Sequence, residues 1–339
     1  MDSFSGKTVL VTGATGLIGS HIVDALMRMG DVDVVALSRS HQKLEEGFAD
    51  YIGKPNFRYI AQDITIPLQL PDLAVDFIFH AAGPMEGEII ANFPVNVIEP
   101  NIIGTKNCLD FLIQQNESSK VSGRLILFSS VTVYGNNSDK DIKVTEIDTN
   151  ITEALTSKTA PYSQSKRMSE VIALAYVKQY YCDVVIARFS TVYGNTRFIP
   201  NTAFYEFIKK AGLGENIVLN GSGFAKRDNI YIDDAVKAVL LLAQKGRSGE
   251  AYNISSGAEL GNFLAVDEIA DIIAEITNKI YRKVNENATK VIRKEGVSSS
   301  RKAGLILDNS KLKALGWAVE TSFEQGIRYT VKEYGTKIN

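Results

Sequence analysis

The hydrophobic rhythm of the chain predicts an α/β fold, a parallel sheet covered by helices and followed by a smaller α/β lobe. Three observations carry this. Short β-branched runs alternate with longer amphipathic ones, a glycine-rich turn directly follows the first run, and the alternation loosens beyond about residue 190. Thr8–Val11, Val32–Leu37, Phe57–Ile60, Val75–His80, Arg124–Phe128 and Val184–Ala187 read as strands. Apolar residues at helical spacing predict helices near Leu17–Met29, Val95–Gln115 and Tyr162–Tyr180 between them. Strands alternating with helices form βαβ units, whose strands lie parallel. Asp234–Lys245 and Val266–Thr277 read as helices joined by loops, and the polar stretch at 296–301 as a loop.

Composition excludes several classes of partner. With 339 residues, 22% of them charged, and a formal net charge of -2, the chain can bury a large core. It carries no field that would recruit nucleic acid or an anionic membrane as its main partner. Cys108 and Cys182 lie in apolar segments and are expected to be buried free thiols of a reducing compartment. His21, His41 and His80 form no ligand-spaced cluster, so no metal site is expected. No signal-peptide pattern opens the sequence and no apolar run reaches membrane-spanning length. A cytoplasmic location is the expectation.

The first strand runs into Thr12-Gly13-Ala14-Thr15-Gly16-Leu17-Ile18-Gly19 and then an amphipathic helix. Glycines at this spacing let the chain turn sharply, and they let backbone N–H groups approach a pyrophosphate at a helix N-terminus. At the first strand-to-helix junction this marks a dinucleotide-binding, Rossmann-type doubly wound sheet. The dinucleotide-binding domain is expected to span 1–188, with 229–250 returning to it. Segments 189–228 and 251–339 then form the substrate lobe. The tip of the second strand reads Leu37-Ser38-Arg39-Ser40, without the acid that would accept from a ribose 2′-hydroxyl. Ser38 and Arg39 can both address a 2′-phosphate, which favours NADP(H) and leaves NAD open.

Tyr162 and Lys166 sit one turn apart on one face of a helix. An ammonium there favours the phenolate and lowers the tyrosine pKa from about 10, giving a proton donor usable near neutral pH.

Taken together these residues resemble the extended short-chain dehydrogenase/reductase family, in its NAD-dependent epimerase/dehydratase, sugar-nucleotide branch. The resemblance runs nearly end to end. Gln62-Asp63-Ile64 is similar to the family's adenine-contacting turn, and His80-Ala81-Ala82-Gly83 to its nicotinamide-side strand end. Asn101-Ile102-Ile103-Gly104-Thr105 matches its N-x-x-G-T helix motif. Phe128-Ser129-Ser130-Val131-Thr132-Val133-Tyr134-Gly135 matches the active-site strand, where Ser130 takes the place of the catalytic Ser/Thr. Arg188-Phe189-Ser190-Thr191-Val192-Tyr193-Gly194 matches the strand entering the substrate lobe. Gly221-Ser222-Gly223 followed by Arg227-Asp228-Asn229-Ile230-Tyr231 resembles the segment in which an arginine binds a substrate diphosphate. A diphosphate calls for a bidentate guanidinium, and Arg227 is the candidate. Tyr252-Asn253-Ile254-Ser255-Ser256-Gly257 and Leu315-Gly316-Trp317 match the C-terminal lobe, with Tyr231 and Trp317 read as core. Thr191 stands where many members carry a substrate-contacting asparagine, and its hydroxyl has a shorter reach.

The resemblance also sorts the chemistry. The family's 4,6-dehydratases carry an Asp-Glu pair where this chain has Val131-Thr132. Its 3,5-epimerase/reductase branch carries a cysteine at the Thr132 position, and its decarboxylating members a glutamate. What remains is hydride chemistry at one carbinol carbon. A 4-ketoreductase acting on a nucleotide-linked 4-keto-hexose is the first expectation, with Tyr162, Lys166 and Ser130 catalytic and Thr132, Thr191 and Arg227 binding substrate. A 4-epimerase with retained NAD is the alternative. A reductase of a small non-nucleotide ketone and a non-catalytic NADP-binding sensor stand further back. A homodimer, formed by pairing the helices around Val95–Gln115 and Tyr162–Tyr180, follows from the resemblance alone.

Overall fold

A computed structural model describes residues 4–70, 73–118, 121–135, 140–148, 153–221, 223–281, 288–293 and 303–338. The loop expected at 296–301 and Ser222 lie outside these residues. The first strands are β1 (Lys7–Thr12), β2 (Val32–Ser38), β3 (Phe57–Ala61), β4 (Phe77–His80), β5 (Arg124–Ser130), β6 (Ile142–Val144) and β7 (Asp183–Phe189). After them come β8 (Thr191–Tyr193), β9 (Ile217–Leu219), β10 (Lys226–Tyr231), β11 (Ala251–Ile254), β12 (Phe263–Ala265), β13 (Val291–Arg293) and β14 (Leu305–Leu307). The helices of the first half are α1 (Leu17–Met29), α2 (His41–Gly47), α3 (Gly87–Asn92), α4 (Val95–Ser118) and α5 (Ala160–Tyr180). Those of the second half are α6 (Ala203–Leu213), α7 (Ile232–Lys245), α8 (Val266–Tyr281), α9 (Ser310–Lys313) and α10 (Phe323–Ile338).

Seven parallel strands form the central sheet in the order β11-β7-β5-β4-β1-β2-β3. Alternation along the strands explains its two covered faces. Val9 and Val11 of β1, with Val34, Ile126 and Val185, pack into the core shared by α1 and α7. Leu10, with Val35, Ile78, Leu125 and Val184, faces α4 and α5 through Leu109, Leu112 and Ala173. The order reverses between β1 and β4, and a crevice outside the carboxyl ends of those two strands is where such sheets bind ligands. The doubly wound parallel sheet is therefore as the sequence predicts. Cys108 and Cys182 are buried free thiols, and no described helix is long and apolar enough to cross a membrane.

The second lobe is built on a three-stranded sheet, β12-β10-β8, with α6, α8 and α10. The boundaries differ from those expected. The returning segment comprises α7 and β11, residues 232–254, because β11 pairs with β7 as the outermost strand of the central sheet. β10 belongs to the second lobe instead, paired with β8 and β12. Residues 142–144, expected within the first domain, pair as β6 with β14. α6 and α10, on which the sequence reading made no assignment, bury Tyr205, Phe207 and Ile208 on one and Phe323, Ile327 and Val331 on the other. Trp317 and Tyr231 are core residues, as expected: the Trp317 indole donates to Asp234 O at 3.0 Å and the Tyr231 hydroxyl to Asn195 Oδ1 at 2.9 Å.

The lobe's core is dense around Tyr193, whose ring lies 4.9 Å from Phe323 and 5.7 Å from Tyr231. A Cβ added at Gly326 would sit 2.3 Å from the Tyr193 hydroxyl and 2.8 Å from the Tyr231 ring. Overpacking of this kind costs about 1–3 kcal/mol. Gly326→Ala is therefore expected to lower the urea midpoint with an unchanged m-value, whereas a helix-propensity gain alone would raise it.

Candidate active site

Thr12, at the end of β1, meets two groups at the end of β4. Its hydroxyl pairs with His80 Nδ1 at 2.8 Å and lies 3.4 Å from the Ala82 N–H. This ties the glycine turn to the Ala81-Ala82 segment. Gly13 has φ +64°, and a Cβ there would lie 2.7 Å from Ala81 C and Ala82 N. A Cβ at Gly19 would lie 2.4 Å from Gly13 O, so α1 can begin against the turn only with glycine at that position. Gly16 is the N-cap of α1 and no side chain caps it, which leaves the N–H groups of Leu17 and Ile18 for an anion. These features fit a dinucleotide pyrophosphate.

The adenosine side is equally concrete. Ser38 ends β2, and its hydroxyl meets the Thr15 hydroxyl at 2.8 Å, while Arg39 beyond it is exposed. Asp63 turns the chain after β3 by accepting from the Thr65 backbone and hydroxyl, both at 2.9 Å. Ile64 is buried against α4, where a Cβ at Gly104 would meet its side chain at 3.0 Å. The glycine-turn residues, Ser38, Asp63, Ile64, Ala81 and Ala82 thus border one crevice.

On the other side of that crevice α5 packs against β5. Tyr162, Lys166 and Ser130 are all buried there. Lys166 Nζ donates to Phe128 O at 2.8 Å and lies 5.9 Å from the centre of the Tyr162 ring. Ser130 Oγ accepts from the Thr132 N–H at 3.2 Å and the Thr132 hydroxyl at 3.1 Å, which leaves its own proton for the Tyr162 oxygen. The expected lowering of the Tyr162 pKa is not what the structure gives. Burial raises it, and the hydrogen bond from Ser130, not the charge of Lys166, opposes that rise. Burial also lowers Lys166 to about 8, offset by the carboxylate of Glu170.

The substrate-side candidates are more dispersed. Thr132 touches Ser130, whereas Thr191 is exposed at the start of β8, opposite Asn229 of β10. Arg227 on β10 is exposed, yet desolvation by its surroundings lowers its pKa. Ala225, just before β10, helps line a cavity of about 600 Å³ with Phe207, Lys210, Asn220, Gly221 and Val266. Asp228 points the other way, buried, and accepts from the Ser256 hydroxyl at 2.6 Å.

Sequence reasoning missed Glu170 and the role of Arg188. Ser129 donates to Glu170 Oε1 at 2.5 Å, and Arg188 grips the same carboxylate with Nε at 2.9 Å and Nη2 at 2.6 Å. The spacing held a signal: Glu170 lies one turn beyond Lys166 on the same helix face.

The family model described as the NAD dependent epimerase/dehydratase family matches residues 9–255, most of the chain. The chain belongs to that family. It is an enzyme of the extended short-chain dehydrogenase/reductase type, and its relatives act on sugar nucleotides. A low-salt glycan biosynthesis protein of Haloferax volcanii is 30% identical over 96% of this family member and 98% of its own length. A trifunctional UDP-glucose 4,6-dehydratase/UDP-4-keto-6-deoxy-D-glucose 3,5-epimerase/UDP-4-keto-L-rhamnose-reductase of Arabidopsis thaliana is 28% identical over 98% of the chain. The chain spans about half of that relative's length, 48%. Among solved structures, the UDP-glucose 4-epimerase of Thermotoga maritima is 25% identical with a TM-score of 0.77, covering 98% of this chain and 100% of that one.

His80 offers a test of this geometry. It is buried at the end of β4, and burial, with Lys166 nearby, depresses its pKa from 6.5 to about 3. Between pH 6.5 and 3 the unfolded chain binds a proton that the folded chain refuses. Stability therefore falls as pH drops through that window. His80→Gln should show a smaller loss of urea midpoint between pH 7 and pH 5 than the native chain. Equal losses would show that His80 is not held neutral.

Proposed function

We propose that this family member is an NADP(H)-dependent reductase of a nucleotide-diphosphate-linked 4-keto-hexose. The observation that carries the reading is the turn after β5. Ser130 and Thr132 bring only hydroxyls to Tyr162, and residues 131–134 hold no carboxylate or thiol for elimination or epimerisation at a neighbouring carbon.

A nicotinamide dinucleotide bound at Gly13, Gly16 and Gly19 supplies the hydride. Tyr162, held neutral by burial until then, gives its proton to the oxygen developing at C4. Ser130, polarised by two hydrogen bonds from Thr132, donates its one proton to the resulting phenolate. Lys166, fixed by Phe128 O, places a positive charge beside the ring. Arg227 takes the diphosphate, while Thr132 and Thr191 orient the sugar. Ser38 and Arg39 select NADP(H). Residues 1–188 with 232–254 bind the dinucleotide, and the β8–β10–β12 lobe holds the substrate. Met168, Val171 and Leu174, exposed on α5 beside Ile103 of α4, favour a second copy of the chain as the partner of these helices.

The second reading is a nucleotide-sugar 4-epimerase with retained NAD, favoured by the likeness to the Thermotoga maritima 4-epimerase. Mass spectrometry of the protein as purified, with NADPH oxidation followed on adding UDP- or dTDP-4-keto-6-deoxyglucose, separates the two. The reductase oxidises NADPH in proportion to the keto-sugar; tightly retained NAD with no NADPH oxidation would contradict it. In the same assay Tyr162→Phe is expected to lose about 10²–10⁴-fold in turnover while dinucleotide affinity stays unchanged. Arg39→Ala should raise the KM for NADPH and leave that for NADH in place; equal effects on both would remove Arg39 from the phosphate site.

A further inference from the structure

Behind the three catalytic candidates lies a buried polar assembly that the proposed reaction does not use. Glu170, one turn past Lys166 on α5, accepts from Ser129, the immediate neighbour of Ser130 on β5. From β7, Arg188 grips both carboxylate oxygens and sends Nη1 to the Tyr134 hydroxyl and to Glu146 O, each at 2.9 Å. Tyr134 ends the turn that carries Thr132, and its hydroxyl donates to Asn253 Oδ1 on β11 at 2.7 Å. One carboxylate and one guanidinium thus join the helix of Tyr162 and Lys166 to the strand of Ser130 and the turn of Thr132.

We propose that Glu170 and Arg188 are positioning residues, which fix α5 against the end of β5 and so hold Lys166 on Phe128 O beside Tyr162. The inference rests on the reading of Tyr162, Lys166 and Ser130 as the catalytic group. A buried ion pair contributes little net stability compared with apolar side chains of similar volume, so its cost is best understood by what it orients. The fork geometry of Arg188 fixes the carboxylate plane. That carboxylate is the charge opposing the desolvation of Lys166. The other groups around Lys166 do not substitute for it. His80 of β4 is neutral throughout the relevant range, Tyr162 is uncharged there, Arg188 is paired, and α4 offers the amide of Asn101.

The test reads Lys166 directly, independent of substrate. In protein labelled with [ε-¹³C]lysine, the Lys166 resonance is assigned by its absence from Lys166→Arg and titrated by NMR. The native midpoint is expected near 8. Glu170→Gln keeps a partner for Ser129 but removes the charge, and the midpoint should fall by about one unit. Because this change leaves Arg188 buried without its carboxylate, Glu170→Gln/Arg188→Met is titrated as well and should show the same fall in a chain with native circular dichroism. A midpoint unchanged in either folded variant would overturn the proposal. With NADPH and UDP-4-keto-6-deoxyglucose, the alkaline limb of kcat should move down with the midpoint while KM changes less than about threefold. Absence of turnover in the native chain would refute the reductase reading, and the NMR titration would still decide the role of Glu170.

Discussion

An ammonium group buried between a helix and the end of a parallel sheet is the constraint around which this molecule is arranged. Lys166 donates to Phe128 O there, and the carboxylate of Glu170, one turn away, opposes the burial that lowers its pKa. Burial works against ionisation of both members of the Tyr162–Lys166 pair, raising one and lowering the other. The chain offsets this locally. Thr132 spends two donors on Ser130, so the serine proton is free to meet the tyrosine oxygen. The result is a tyrosine that holds its proton firmly until negative charge develops on a neighbouring atom, a property suited to a donor.

The sheet topology puts this group opposite the dinucleotide crevice. Reversal of strand order between β1 and β4 opens the crevice, and Thr12 bridges its two walls through His80 and Ala82. Gly13 and Gly19 are there because no side chain fits between the turn, Ala81 and α1. The second lobe is attached by more than covalent links. β11 closes the central sheet, β6 crosses to pair with β14, and Arg188 hydrogen-bonds Glu146 O just beyond β6. The second lobe is thus held on both sides of the turn that carries Thr132.

Six of the seven strands of the central sheet and the glycine turn were legible in the sequence because both have short-range signatures, whereas β11 was assigned to the other lobe. Buried parallel strands are continuous β-branched runs, and the turn needs glycine at fixed offsets. The Tyr162–Lys166 pair was legible for the same reason, one helical turn of spacing. The direction of the Tyr162 pKa was not, since it depends on how deeply α5 is buried against β5, a tertiary fact. β6, β9, β12, β13 and β14 are three-residue strands with too few positions to show a period, and β6 finds its partner some 160 residues away. α6 and α10 carry an apolar stripe at helical spacing, which buries Tyr205, Phe207 and Ile208 on one and Phe323, Ile327 and Val331 on the other, and the sequence reading passed over it. Arg188 was seen as part of a motif, but its grip on Glu170 joins β7 to α5 through space.

The most direct measurement of the proposed chemistry is the fate of the transferred hydrogen. With NADPH carrying deuterium on the transferred face of C4 and a UDP- or dTDP-linked 4-keto-6-deoxyhexose, one deuterium should appear at C4 of the product sugar, with one NADP released per turnover. Product that forms without label, while the deuterium stays with a cofactor retained on the protein, would contradict a single net hydride transfer and place the chain among the epimerases.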